Sequence, residues 1–194
     1  MLRFGVEVEV ARVDINIAEN LVREHNLSRR YEQGWRTSLD CSINPYGSEF
    51  ISPIFTWDTR NDIFTVIDAI KKTGGFCNQS CGFHVHLSGD FPESWNEMKE
   101  HIWKWYLSIL PGFKPAKRRR DGYCKEELGT NKHQIVHPVC EHLWQRESPH
   151  LELRLFNAHL CKRWMYRCIK VSRELGIILE SLVPAVGQPA LIGV

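Results

Sequence analysis

Hydrophobic and polar residues alternate in three short stretches of this chain, and the spacing changes to helical in four others. Leu2 to Ala11 reads as a strand in which Val6, Val8 and Val10 take one face and Glu7 and Glu9 the other, because residues i and i+2 of a strand point the same way. Gly82 to Ser88 repeats the pattern, with Phe83, Val85 and Leu87 opposite His84 and His86. Leu151 to Asn157 repeats it again, with Leu151, Leu153 and Leu155 opposite Glu152 and Arg154. Trp35–Ser42 and Glu49–Phe55 read as a strand pair turned by Asn44-Pro45-Tyr46-Gly47, which brings Glu49 to the same surface.

Helical spacing predicts a short helix over Ile17–His25 after the capping residues Asp14 and Asn16. A second helix starts at Asp58, carries Ile63, Ile67 and Ile70, and stops at Gly74-Gly75. A third opens with Ser94 and Glu97 as a capping box, carries Met98, Ile102, Trp105 and Ile109, and stops at Pro111-Gly112. The last runs from Arg163 to Leu182. Phe113–Gly129, basic and broken by proline and glycine, reads as a loop. A hairpin ahead of the first long helix implies an α+β domain: a mixed or antiparallel sheet with helices on one face.

Composition narrows the class. At 194 residues the chain suits one domain, 1–194. A net charge of +2 gives no general reason to expect nucleic acid or an acidic membrane. Glu7 and Glu9 interrupt any leader-like apolar run, and no stretch reaches the roughly 20 apolar residues that cross a bilayer. Seven cysteines without a small-scaffold spacing suit reduced thiols, so a cytoplasmic protein is expected.

One alternating strand with outward charges usually marks a solvated sheet face. Three such strands carrying Glu, His and Arg, rather than Lys, Thr, Ser and Gln, imply a site. The oxygen donors of Glu7, Glu9, Glu49 and Glu152 suit Mg²⁺ or Mn²⁺ better than Zn²⁺. His84 and His86 suit a metal, a phosphate or a substrate carboxylate, and Arg154 with an arginine of the 118–120 run suits charge on a transferring phosphoryl group. The residues alone therefore point to phosphoryl transfer with a divalent cation.

The order of motifs also resembles a known family. Phe4-Gly5-Val6-Glu7-Val8-Glu9 is followed by Asp40-Cys41-Ser42, Glu49-Phe50-Ile51-Ser52-Pro53 and Cys81-Gly82-Phe83-His84-Val85-His86. An arginine-rich loop ending in Tyr123-Cys124-Lys125 and then Leu151-Glu152-Leu153-Arg154-Leu155-Phe156 complete the series. From residue 4 to about 180, this is similar to the amidoligase family, a relative of the glutamine synthetases and glutamate–cysteine ligases.

The resemblance implies a curved, mostly antiparallel sheet like the glutamine-synthetase catalytic fold, binding ATP and divalent cations. A substrate carboxylate attacks the γ-phosphate, and an amine captures the acyl phosphate. It implies Glu7, Glu9, Glu49 and Glu152 as metal ligands, with His84 and His86 shared between phosphate or metal and the carboxylate. Arg154 with Arg118 or Arg119 would stabilise the phosphoryl group, Asp40 would orient a ligand or amine, and Lys132 would reach a phosphate. The partners implied are a small-molecule or peptide carboxylate and an amine, and an oligomer is left open by the shared sites of larger relatives.

Two other readings compete. Cys77-x-x-x-Cys81-x-x-His84-x-His86 has ligand types that zinc accepts, for a structural or hydrolytic site. Lys114, Lys117, Arg118, Arg119 and Arg120, in the basic loop 114–120, could serve a non-enzymatic nucleic-acid binder, although the acidic residues elsewhere almost balance them. His25, His101, His133, His137, His142, His150 and His159 show no paired spacing that suggests a role.

Overall fold

The computed structural model describes residues 1–29, 34–113, 125–128, 134–139 and 150–183. Among them a seven-stranded sheet and four α-helices give the α+β class. Strand β1 (Arg3–Ala11) leads to helix α1 (Ile15–Arg29), then β2 (Arg36–Leu39) and β3 (Gly47–Ile51). Helix α2 (Asp62–Lys72) precedes β4 (Gly82–Ser88) and α3 (Trp95–Phe113). Strands β5 (Lys125–Leu128), β6 (Gln134–Val139) and β7 (His150–Asn157) follow, and α4 (Lys162–Glu180) is the last element.

The strands lie in the order β2-β3-β1-β4-β7-β6-β5, antiparallel except for the parallel pair β5–β6. Two differences from the sequence reading fall here. Lys125–Leu128, read as the end of a loop, is an edge strand. Gln134–Val139 is a strand that periodicity did not mark, since His137 and Pro138 interrupt its apolar run. The third helix also runs on through Pro111, which sits in its last turn.

Burial explains the alternation. Val6, Val8, Val10, Phe83, Val85, Leu87, Leu151 and Leu153 are buried members of one hydrophobic core. Helix α4 packs against β4 and against α3. Phe113, from the end of α3, meets Phe156 of β7 edge-on at 5.4 Å and Trp164 of α4 at 5.3 Å. Helix α1 packs against β2 and β3, and the Asn26 side chain ties it to Trp35 by accepting from the Trp35 N–H and donating to the Trp35 carbonyl.

One β-bulge alters the expected facing. Phe83 pairs with Phe156 and Val85 with Leu153, so Arg154 and Leu155 together oppose His84. The extra residue breaks the alternation at Leu155, and bulges of this kind commonly re-aim side chains beside a functional site. No helix among the described residues is long and apolar enough to cross a membrane.

Candidate active site

Register assembles the ionisable face. Glu9 pairs with Glu49 across β1 and β3, and Glu7 pairs with His84 across β1 and β4. His86 pairs with Glu152 across β4 and β7, and Ser38 of β2 pairs with Glu49. Directly opposed residues share a face, so five strands, β1, β2, β3, β4 and β7, deliver these groups to one surface. The surface is not washed by solvent: His84 is 1% exposed, Glu9 and His86 4%, and Glu7 and Glu152 6%.

His84 lies at the centre. Its Nδ1 is 3.0 Å from Glu7 Oε2 and 3.2 Å from Glu152 Oε1, and its Nε2 is 3.1 Å from Glu9 Oε1. His86 Nε2 lies 3.1 Å from Glu7 Oε1, and Arg154 donates to Glu152 Oε1 at 2.7 Å. Glu9 also accepts the Gly82 N–H, and Glu49 accepts from the Ser38 hydroxyl at 3.1 Å.

These contacts separate the protonation states. Burial and Arg154 oppose a charge on His84, but Glu9 and Glu7 outweigh them and lift it to about 9. Burial raises the Glu7 carboxyl, yet the imidazoles of His86 and His84 hold it well below its usual range. Glu152 is likewise lowered, burial being outweighed by His84 and Arg154. Burial followed by the charge of Glu7 pushes Glu49 up to about 8. Arg154 is half-buried, which opposes its charge, but Glu152 and its neighbours outweigh this and raise it, so it stays charged.

Four carboxyl groups therefore crowd two imidazoles and one guanidinium, and clusters of this kind are relieved by a bound cation. Three sets of side chains place donor atoms within 4.8 Å of one another: Glu7, His86 and Glu152; Glu7, Glu49 and His84; and Glu9, Asp40 and Glu49. Oxygen donors predominate, which fits a hard divalent ion. All four glutamates expected as metal ligands fall in these sets. Asp40 joins them at one edge of the cluster, where its Oδ1 also accepts the Ser42 N–H at 2.7 Å.

Arg118, Arg119, Arg120 and Lys132 lie outside the described residues, as does the basic loop 114–120 on which the nucleic-acid reading rested. The zinc quartet does not gather: among the described residues, none of the three sets contains Cys77 or Cys81. Instead the two thiols act on each other. Their contact is the largest influence on both, pushing Cys77 up and bringing Cys81 down to about 7.

The sequence reading passed over His150. It is buried at the start of β7, with its ring centred 5.3 Å from that of His86. The signal was the i, i+2, i+4 series His150-x-Glu152-x-Arg154, which places all three on one face of a regular strand.

The site defined by this geometry is an acidic, cation-suited cluster spread over the strands of an antiparallel sheet, with a half-buried arginine at its side. A family model described as "putative amidoligase enzyme" matches residues 19–126, more than half of the chain. The chain belongs to the amidoligase family. The matched span holds Asp40, Glu49, His84 and His86, while Glu7, Glu9, Glu152 and Arg154 join the site from strands outside it. No curated protein matches the chain.

Proposed function

We propose that this protein is an ATP- and divalent-cation-dependent ligase that joins a carboxylate to an amine through an acyl phosphate, on a sheet of the glutamine-synthetase catalytic type. The observation that carries the reading is the convergence of Glu7, Glu9, Glu49 and Glu152 on one sheet face beside Arg154. Amide formation from a carboxylate needs its oxygen turned into a leaving group. A carboxylate oxygen attacks the γ-phosphorus and ADP departs; the amine then attacks the carbonyl carbon and phosphate departs.

Each residue's part follows from its position. Glu7, Glu9, Glu49 and Glu152, with Asp40 at the edge, would hold Mg²⁺ or Mn²⁺. The cation, when bound, neutralises phosphate oxygens that these carboxylates would otherwise repel. Arg154 stays charged and would offer its guanidinium to the transferring phosphoryl group, as an electrostatic stabiliser already fixed before the reaction. His84 supplies positive charge among the carboxylates and would release its proton as a cation enters. His86 faces Glu7 from the adjacent strand and would contact phosphate. Arg118, Arg119 and Lys132 remain candidates for phosphate contact on sequence grounds.

The test uses hydroxylamine as the amine, with Mg²⁺, ATP and a panel of amino-acid and peptide carboxylates. Hydroxamate formed in step with ADP supports the reading. ADP release without any carboxylate dependence, or hydroxamate formation undiminished in Glu7→Gln, contradicts it.

A further inference from the structure

A cavity of about 300 Å³ lies between α4, the paired ends of β1 and β4, and residues 56–58. Phe4 and Leu87, opposed across the two strands, give it a buried apolar lining together with Ile169 of α4. Leu87 follows His86 directly, and successive residues of a strand take opposite faces. The cavity and the acidic cluster therefore lie on opposite sides of the sheet. Its volume is at the low end of the range for small-ligand pockets, about 300–1,000 Å³, which suits one amino-acid-sized molecule better than a nucleotide.

Two charged side chains of α4, Arg173 and Glu180, line this cavity. The Arg173 guanidinium carbon sits 4.6 Å from the centre of the Trp57 ring, and Arg60 sits 4.3 Å from the same ring. Stacking of this kind holds a guanidinium by its plane and leaves its N–H edge free to donate. Among the described residues, Arg173 forms no hydrogen bond and no ion pair. Glu180 Oε1 is buried and accepts no hydrogen bond. The Met1 amino group is hydrogen-bonded to Asp90 at 3.0 Å and stays 3.6 Å from that oxygen. Buried polar atoms are normally satisfied, so a guanidinium and a carboxylate oxygen left open on one cavity point to a ligand.

Spacing and charge say which ligand. Arg173 and Glu180 are two helical turns apart, about 10.5 Å along the axis, with Ile177 between them on the same helix face. They do not pair with each other, but one short molecule with opposite charges can meet both. Asp58 and the Met1 amino group add one charge of each sign, so the lining as a whole favours a neutral zwitterion over a net anion or cation. We infer that this cavity binds a free α-amino acid with an apolar side chain. Its carboxylate takes Arg173, its ammonium takes Glu180, and its side chain lies against Phe4, Leu87 and Ile169. The pocket is separate from the metal cluster, and its occupancy does not depend on the ligase reading above.

Calorimetry of the full chain with L-leucine, L-methionine and L-phenylalanine, in EDTA and without ATP, tests this. Saturable binding of one molecule per chain is expected for at least one of them. For the tightest binder, the matching deaminated acid and decarboxylated amine should each bind roughly tenfold more weakly, the weight of one charge-assisted hydrogen bond. Arg173→Gln should weaken binding by a similar factor. Ile177→Trp, at a position 45% exposed, should fill the cavity without entering the core and abolish binding. Thermal unfolding of the ligand-free variants checks their fold, and Ile177→Trp decides alone if Arg173→Gln does not fold. No saturable binding of any of the three amino acids, or a deaminated acid that binds as tightly as its parent, overturns the inference. Binding lost in Glu7→Gln but kept in Arg173→Gln and Ile177→Trp places the amino acid in the acidic cluster and overturns it too.

Discussion

Stripping divalent cations and raising the pH should destabilise this protein, because His84 holds its proton more tightly folded than unfolded. Its pKa rises from 6.5 to about 9 between Glu9, Glu7 and Glu152. Below pH 6.5 both states carry the proton and the full stabilisation is present. Between pH 6.5 and 9 the unfolded chain has lost it and the folded chain has not, so stability falls as pH rises. The 2.5-unit difference (9 − 6.5), at about 1.36 kcal/mol per unit, gives a loss of about 3 kcal/mol. Glu49, raised to about 8, pushes in the same direction from its ordinary 4.5 upward. Glu7 and Glu152 are lowered, so their contributions are present above 4.5 and are lost as the pH falls below it. For a chain of this size about 3 kcal/mol corresponds to a fall in Tm of roughly 6–12 °C. The assay is thermal unfolding of EDTA-treated protein across pH 6.5–9, repeated with saturating Mg²⁺. Mg²⁺ requires the ligands deprotonated, so its stabilisation should grow over the same interval. A metal-free Tm that is flat or rises with pH would refute the arrangement of charges described here.

Three other outcomes are expected. Leu153→Ala, in the fully buried core beneath the site, should cost about 2–5 kcal/mol by urea denaturation, with the urea midpoint as the readout. Gly47→Ala should cost about 1–3 kcal/mol, since its Cβ would stand 2.2 Å from the Val10 carbonyl oxygen and 2.6 Å from Ile43; Gly112→Ala, with nothing nearer than Arg167 at 3.7 Å, should be tolerated. Asp40→Asn and Glu152→Gln should weaken different cations, because Asp40 shares a donor set with Glu9 and Glu49, and Glu152 with Glu7 and His86; Mn²⁺ calorimetry should show distinct phases lost in the two variants.

Strand alternation carried most of the site. Glu7, Glu9, His84, His86, Glu152 and Arg154 were legible because i, i+2 spacing sets side-chain facing whatever the tertiary fold. What alternation cannot supply is register, and register is what brings Glu9 against Glu49 and His86 against Glu152. The bulge at Arg154-Leu155 was invisible for a related reason: it depends on the partner strand, and a leucine in step with Leu151 and Leu153 disguises it. Strand β6 was missed because His137 and Pro138 fall within its six residues, and a proline inside a short run argues against a strand. The burial of the ionisable face was also illegible, since alternation of charge with valine ordinarily means water on one side.

The central claim is that one sheet face binds ATP together with divalent cations. Calorimetric titration of ATP with Mg²⁺ into the wild-type protein, Glu7→Gln and Glu152→Gln tests it most directly. The account predicts binding that needs the cation and is lost in both variants. No ATP binding by the folded, Mg²⁺-saturated wild type, or binding undiminished in both variants, would contradict it.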